Sequence, residues 1–206
     1  MRIIDLSYPI FDGMHTYPSD PTVSIVKKKD IEQHRSLLHE FTMGTHTGTH
    51  LDVPGHIIKD GKKINDFPLS SFYCRAVKVD KKSINHLLDF EGMINGIIFE
   101  TGWNYNINEP EKYYGPNRPI IPRHLIDLVK VIGAKIFGCD LPSVDASGIK
   151  DKPVHHALLG NDIIIYESLT NLNKLPLVKP FDFFGFPLSF QNLDGSPVRA
   201  VGMLES

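Results

Sequence analysis

The chain has 206 residues, 22 Lys and Arg against 24 Asp and Glu, and a formal net charge of −2. That length suits one domain, and 41% apolar with 22% charged residues is the balance of a chain that folds by itself rather than a disordered one. No basic run favours nucleic acid, and no apolar stretch reaches the roughly 20 residues that cross a bilayer. Two cysteines, Cys74 and Cys139, are too few for a disulfide framework and sit in apolar contexts, as buried free thiols do. Asp5 and Pro9 interrupt the N-terminal segment before it attains signal-peptide length, so a cytoplasmic protein without a membrane partner is expected.

In chain order, short runs rich in β-branched and aromatic residues predict strands over 22–26, 40–43, 73–79, 96–99, 135–139, 163–166, 183–188 and 198–204. Helical periodicity predicts helices over 83–88 with Ser83 as N-cap, over 122–132 closed by Gly133, and over 154–159 closed by Gly160. Strands outnumber helices, and helix-then-strand pairs imply an α/β protein: a single domain, 1–206, with a β-rich mixed sheet flanked by helices. Segment 102–121 shows no period and reads as a long surface loop, either a substrate cover or a tolerated insertion. Phe181, Phe183, Phe184 and Phe186 form an aromatic cluster of the kind that is more often core than pocket lining.

Residues 44–56, GTHTGTHLDVPGH, carry three histidines, an aspartate, three glycines and a proline. Gly, Thr and Pro make a helix improbable here, so the backbone is extended or looped. In an extended chain His46, His50, Asp52 and His56 would share one side, although four residues of strand span about 13 Å. For His46 and His50 to share an ion the chain must bend between them, and Gly48 is placed to allow it. Imidazoles plus a carboxylate suit zinc, manganese and related divalent ions, and the chemistry fits hydrolysis. A second pairing, His155 at the start of a short helix and Glu167 at the end of the next strand, can return both side chains to one region. His156 should face away from it, and His15, His34, His39, His86 and His124 have no carboxylate at ligand spacing.

The pattern His-x-Gly-Thr-His-x-Asp-x-Pro-x-His, intact from His46 to His56, resembles the hallmark of the cyclase-like metal-dependent hydrolases, a family that includes bacterial kynurenine formamidases and isatin hydrolases. DLSYPI at Asp5, YPSDP at Tyr17, TGW at Thr101, CDLPSVD at Cys139, HHALLG at His155 and DGSPVRAV at Asp194 extend the resemblance along nearly the whole chain. It implies a swivelling β/β/α fold and a homodimer or homotetramer. It also implies one or two divalent ions, zinc first and manganese second. His46, His50 and Asp52 look like the ligands of one ion, and Asp52, His155 and Glu167 like those of a second or shared one. His56 looks like the proton-transfer residue. The implied substrate is a small amide, foremost an aryl formamide such as N-formylkynurenine. A cyclic amide, a cyclase or dehydratase reaction at the same site, and a catalytically silent metal-binding protein are the alternatives. Tyr17 stands where the formamidases carry a tryptophan, and Ile57 where an aromatic follows the last histidine. Both reshape the expected pocket.

Overall fold

A computed structural model describes residues 1–90 and 92–205. Its strands are β1 (Arg2–Asp5), β2 (Ser24–Lys29), β3 (Leu38–Thr42), β4 (His50–Asp52), β5 (Tyr73–Asp80), β6 (Gly96–Glu100), β7 (Ile136–Cys139), β8 (Ile164–Glu167), β9 (Pro180–Phe184), β10 (Gly195–Pro197) and β11 (Val201–Leu204). The helices are α1 (Ile31–His34), α2 (Pro110–Tyr113), α3 (Arg123–Val131) and α4 (Pro153–Leu159). Nine strands form one mixed sheet in the order β1-β11-β9-β5-β6-β7-β8-β4-β10, while β2 and β3 pair apart from it as an antiparallel hairpin. This is the expected α/β class.

The centre of the sheet, β5 to β8, is parallel, and β6, β7 and β8 read as nearly unbroken apolar runs because both of their faces are covered. Alternation sorts those runs into two cores. Val77, Val79, Ile97, Phe99, Phe137 and Ile165 face α3 and α4, whereas Cys74, Ala76, Ile98, Ile136, Ile164 and Tyr166 face an interior shared with Leu6, Leu51, Phe181 and Phe183. The second core is enclosed by the sheet's own curl. β10 lies at one end of the sheet and β11 beside the other end, yet only residues 198–200 connect them, a reach of at most about 14 Å. Thr49 helps to hold the closure: its hydroxyl donates to the Ser168 carbonyl at 2.6 Å and accepts from the Tyr8 amide at 3.0 Å.

The predicted strands fall on β2, β3, β5, β6, β7, β8, β9 and β11, with β9 starting and ending earlier than the run suggested. Helix 122–132 is α3, and 154–159 is α4. The turn after β5 differs. It is a 3₁₀ helix over Ile84–Phe90, and Asp80 rather than Ser83 accepts the free amides, those of Lys82 and Ser83. Segment 102–121 is also more structured than expected. It holds a 3₁₀ turn and α2, buries Tyr113 completely and anchors it through Trp103 Nε1–H to the Tyr113 carbonyl and Tyr113 O–H to Ser168 Oγ. Cys74 and Cys139 are buried free thiols, and Phe181 and Phe183 are core. Among the described residues no helix is long and apolar enough to cross a membrane.

Candidate metal centre

Residues 44–56 bend as their composition requires. Gly48 adopts φ 62°, a left-handed conformation that side chains disfavour; the chain is then extended through β4 and closes in a 3₁₀ turn over Pro54–His56. Only His50 and Asp52 therefore share a strand face. Leu51 between them points into the enclosed core. β4 pairs with β8 so that His50 opposes Glu167, and α4 lays His155 over the same face.

The four side chains form a ring. His50 Nε2 lies 3.5 Å from Asp52 Oδ1 and 3.4 Å from Glu167 Oε2; His155 Nε2 lies 3.5 Å from Asp52 Oδ2 and 3.4 Å from Glu167 Oε1. All four residues are buried. The far nitrogen of each imidazole has an obligate acceptor: His50 Nδ1–H donates to the Gly48 carbonyl at 2.9 Å, and His155 Nδ1–H to Asp145 Oδ2 at 2.6 Å. Both rings thus turn Nε2 inward, the arrangement in which outer carboxylates and carbonyls fix metal-binding histidines. Asp52 Oδ2 is buried without a hydrogen-bond partner. His50, Asp52 and Glu167 each offer a ligand atom within 4.8 Å of the others, and buried carboxylates beside an inward imidazole nitrogen are a donor set that zinc and related divalent ions accept. The residues fit a divalent cation.

His46 stands beside the ring, hydrogen-bonded at Nδ1 to Asp52 Oδ1 (2.7 Å) and at Nε2 to Asp194 Oδ2 (2.9 Å). The expected ligand sets, His46, His50 and Asp52 for one ion and Asp52, His155 and Glu167 for a second or shared one, have Asp52 in common. In the structure His50 is as close to Glu167 as to Asp52, and ligand atoms come within 4.8 Å of one another in two clusters, His46–Asp52–His56 and His50–Asp52–Glu167, with Asp52 in both. Asp194 Oδ2 also receives His56 Nδ1–H at 3.2 Å, which turns His56 Nε2 towards Lys152 Nζ, 3.4 Å away. His56 lies outside the ring and lines the cavity beside it. Tyr17 lines the same ≈ 200 Å³ cavity, packed edge-on to Tyr114, with the Arg118 guanidinium 5.9 Å from its ring. No residue of 102–121 lines that cavity. The segment props Tyr17 from behind, and Arg118 also donates to the Asp145 carbonyl at 2.6 Å.

Asp145, Asp194, Lys152 and Arg118 were not singled out by sequence. Asp145 and Asp194 lie within motifs carrying the resemblance, and an Asp-Gly pair beside a strand was the available signal for the latter. Gly195 itself is sterically required, since a Cβ there would sit 2.7 Å from His46 Cε1 and 2.8 Å from the Leu51 carbonyl. His156, His15, His34, His39, His86 and His124 are exposed and away from the ring.

Electrostatically the cluster is short of cations, and protons compensate. Burial lowers the pKa of His155, but Asp145, Asp52 and Glu167 outweigh it and raise it to about 11; for His46, Asp52 and Asp194 do the same, to about 10. Burial raises the Asp52 and Glu167 carboxyls, yet the surrounding imidazoles hold both below the usual range, Glu167 at about 2. The two imidazoles of His46 and His56 depress Asp194 likewise.

A family profile described as "Putative cyclase" matches residues 4–146. The chain belongs to that family. The kynurenine formamidase of Geobacillus thermodenitrificans is 32% identical over 96% of this chain and 95% of its own length. Isatin hydrolase A of Labrenzia aggregata superposes with a TM-score of 0.83 at 22% identity, covering 98% of this chain and 93% of that one. A Bacillus stearothermophilus protein described as a predicted metal-dependent hydrolase gives 0.74 at 21%, covering 98% and 97%.

Two outcomes are expected of the metal-stripped protein. His46 and His155 hold their protons more tightly folded than unfolded, so their contribution is complete below pH 6.5, declines above it and is gone by about pH 10–11. Glu167 binds its proton less tightly folded, so its contribution is complete above pH 4.5 and lost as pH falls towards 2. The melting temperature after chelation should peak between those limits and fall from pH 7 to 9.5; a flat or rising profile would refute the proton-filled cluster. Gly195→Ala should cost about 1–3 kcal/mol in urea denaturation and weaken metal binding through the displaced His46. An unchanged midpoint with unchanged metal affinity would contradict the packing described.

Proposed function

We propose that this protein is a metal-dependent amide hydrolase, with an aryl formamide such as N-formylkynurenine as its foremost substrate. The observation that carries the reading is the ring of His50, Asp52, His155 and Glu167 with the orphaned Asp52 oxygen, opening on a cavity that His56 also lines. These four residues would hold the ion, zinc first and manganese second for an imidazole–carboxylate set, and His46 joins the donors once its proton leaves. A divalent ion so held supplies Lewis acidity towards a carbonyl and makes water acidic enough to react near neutrality.

The chain's own residues supply the rest. His56, whose Nδ1–H donates to Asp194 and so leaves Nε2 as its basic nitrogen, accepts a proton from the attacking water there and returns it to the leaving nitrogen. Asp194 stabilises the imidazolium in between. Tyr17, stiffened by Tyr114 and Arg118, gives an aryl substrate a flat wall. Similarity to kynurenine formamidases over almost the whole chain supports the formamide, and the fold shared with isatin hydrolase A makes cyclic amides the next class to screen.

Purified protein should contain stoichiometric zinc or manganese, and chelation should abolish N-formylkynurenine hydrolysis. Because protons compete for His155 and His46, apparent metal affinity should increase with pH. His56→Ala should retain metal while kcat falls on the order of 10²- to 10⁴-fold. Protein that takes up no metal on reconstitution would overturn the reading; metal with formamides untouched would remove the substrate assignment alone.

A homodimer or homotetramer is also proposed. The β2–β3 hairpin is almost wholly exposed and carries Val26, Leu38 and Phe41 at 46, 48 and 58% exposure, whereas an isolated two-stranded hairpin is marginal in water. Light scattering after gel filtration should give a multiple of 23.2 kDa, and a monomer would exclude it.

A further inference from the structure

Lys152 is a side chain that the catalytic reading leaves without a task. It lines the cavity with Tyr17, His46, His56 and His155, and no other Lys or Arg does so among the described residues. No carboxylate lies within ion-pairing distance of it among those residues. Its Nζ has one polar neighbour, His56 Nε2 at 3.4 Å, which leaves two of the three ammonium donors unspent. The lining carboxylates are committed or distant. Asp145 accepts the amides of Val154 and His155 together with His155 Nδ1–H; Glu167 accepts the Val144 amide and faces the ring; Asp20 does not pair with the lysine.

The backbone shows that this placement is built. Lys152 has φ 40° and ψ 54°, a left-handed conformation, and Pro153 follows it directly; a residue before proline is normally driven to extended backbone. Its carbonyl is held there by the His156 amide at 3.0 Å. Strained backbone of this kind persists where the surroundings over-determine it, commonly at ligand-contacting positions. The adjacent Lys150 and Asp151, by contrast, are exposed.

We propose that Lys152 is the specificity-determining residue of the cavity and anchors a carboxylate on the substrate, so that the enzyme selects small amides that carry an anionic group over neutral ones. The inference rests on the amide-hydrolase reading. Lys152 meets the carboxylate with its unspent donors while the amide carbonyl faces the metal ring. A neutral amide fills the same cavity but leaves the ammonium group without a counter-charge.

The test compares N-formylanthranilate, which carries a carboxylate beside its formamide, with neutral formanilide, on the metal-loaded wild type and on the K152M and K152R variants. K152M should increase KM for N-formylanthranilate on the order of 10- to 100-fold, the worth of a hydrogen bond to a charged group, and K152R should restore most of the loss. Formanilide KM should stay within about threefold throughout, and any effect of the lost His56 contact on kcat should be alike for both substrates. Equal rises in KM on both substrates, or no change in KM on either, would overturn the proposal. Should the wild type cleave neither compound, the aryl-formamide assignment fails separately, and calorimetry with benzoate against benzamide still decides on Lys152. Benzoate should then bind K152M at least about tenfold more weakly with benzamide unaffected, and equal benzoate affinity would refute the anchor.

Discussion

Two carboxylates buried on neighbouring strands, Asp52 on β4 and Glu167 on β8, set the terms for the rest of the molecule. Removing such charges from water is costly unless cations and donors surround them. The structure supplies both: the Val144 amide reaches Glu167, His50 and His155 sit between the two acids, and His46 braces Asp52 from outside. One acceptor, Asp52 Oδ2, stays without a partner. A site so poor in positive charge draws a cation or, in its absence, protons. The same electrostatics explain why Asp145 and Asp194 lie one shell outward, where they fix ring orientation instead of crowding the centre.

The fold answers this demand through simple alternation. On β4 and β8 the apolar side chains Leu51 and Tyr166 turn inward to the enclosed core, which sends His50, Asp52 and Glu167 to the face that α4 covers. The hydrophobic core and the polar cluster are therefore two sides of the same strands. A slip of one residue between β4 and β8 would exchange them, burying the acids among phenylalanines.

Much of this was legible in the chain. Parallel strands β6 to β8 announce themselves as apolar runs, α3 by its period and terminal glycine, and the dense His and Asp run by its improbability as core. β1, β4 and β10 were not legible, because strands of three or four residues carry too little periodicity and owe their existence to partners far along the chain. Asp194 was hidden for the same reason, since it meets His46 across 148 positions. Lys152 sits in a polar stretch that reads as ordinary surface, and only its backbone conformation and its proximity to His56 mark it out. Segment 102–121 looked unstructured since its order comes from single anchors, Tyr113 and Arg118, rather than from repetition.

Residues 194–204 supply Asp194, the glycine that clears space for His46, the β10 partner of β4 and the β11 partner of both β1 and β9. During synthesis, then, β1 stays unpaired until β11 has been made and Leu204 can reach Arg2. A nascent chain still holding this segment in the ribosome has His50 and Glu167 but an open sheet edge, and its His46 and His56 lack their common acid. The order of translation thereby keeps the centre incomplete until nearly all of these residues are free, and makes a truncated product an aggregation hazard rather than a weak enzyme.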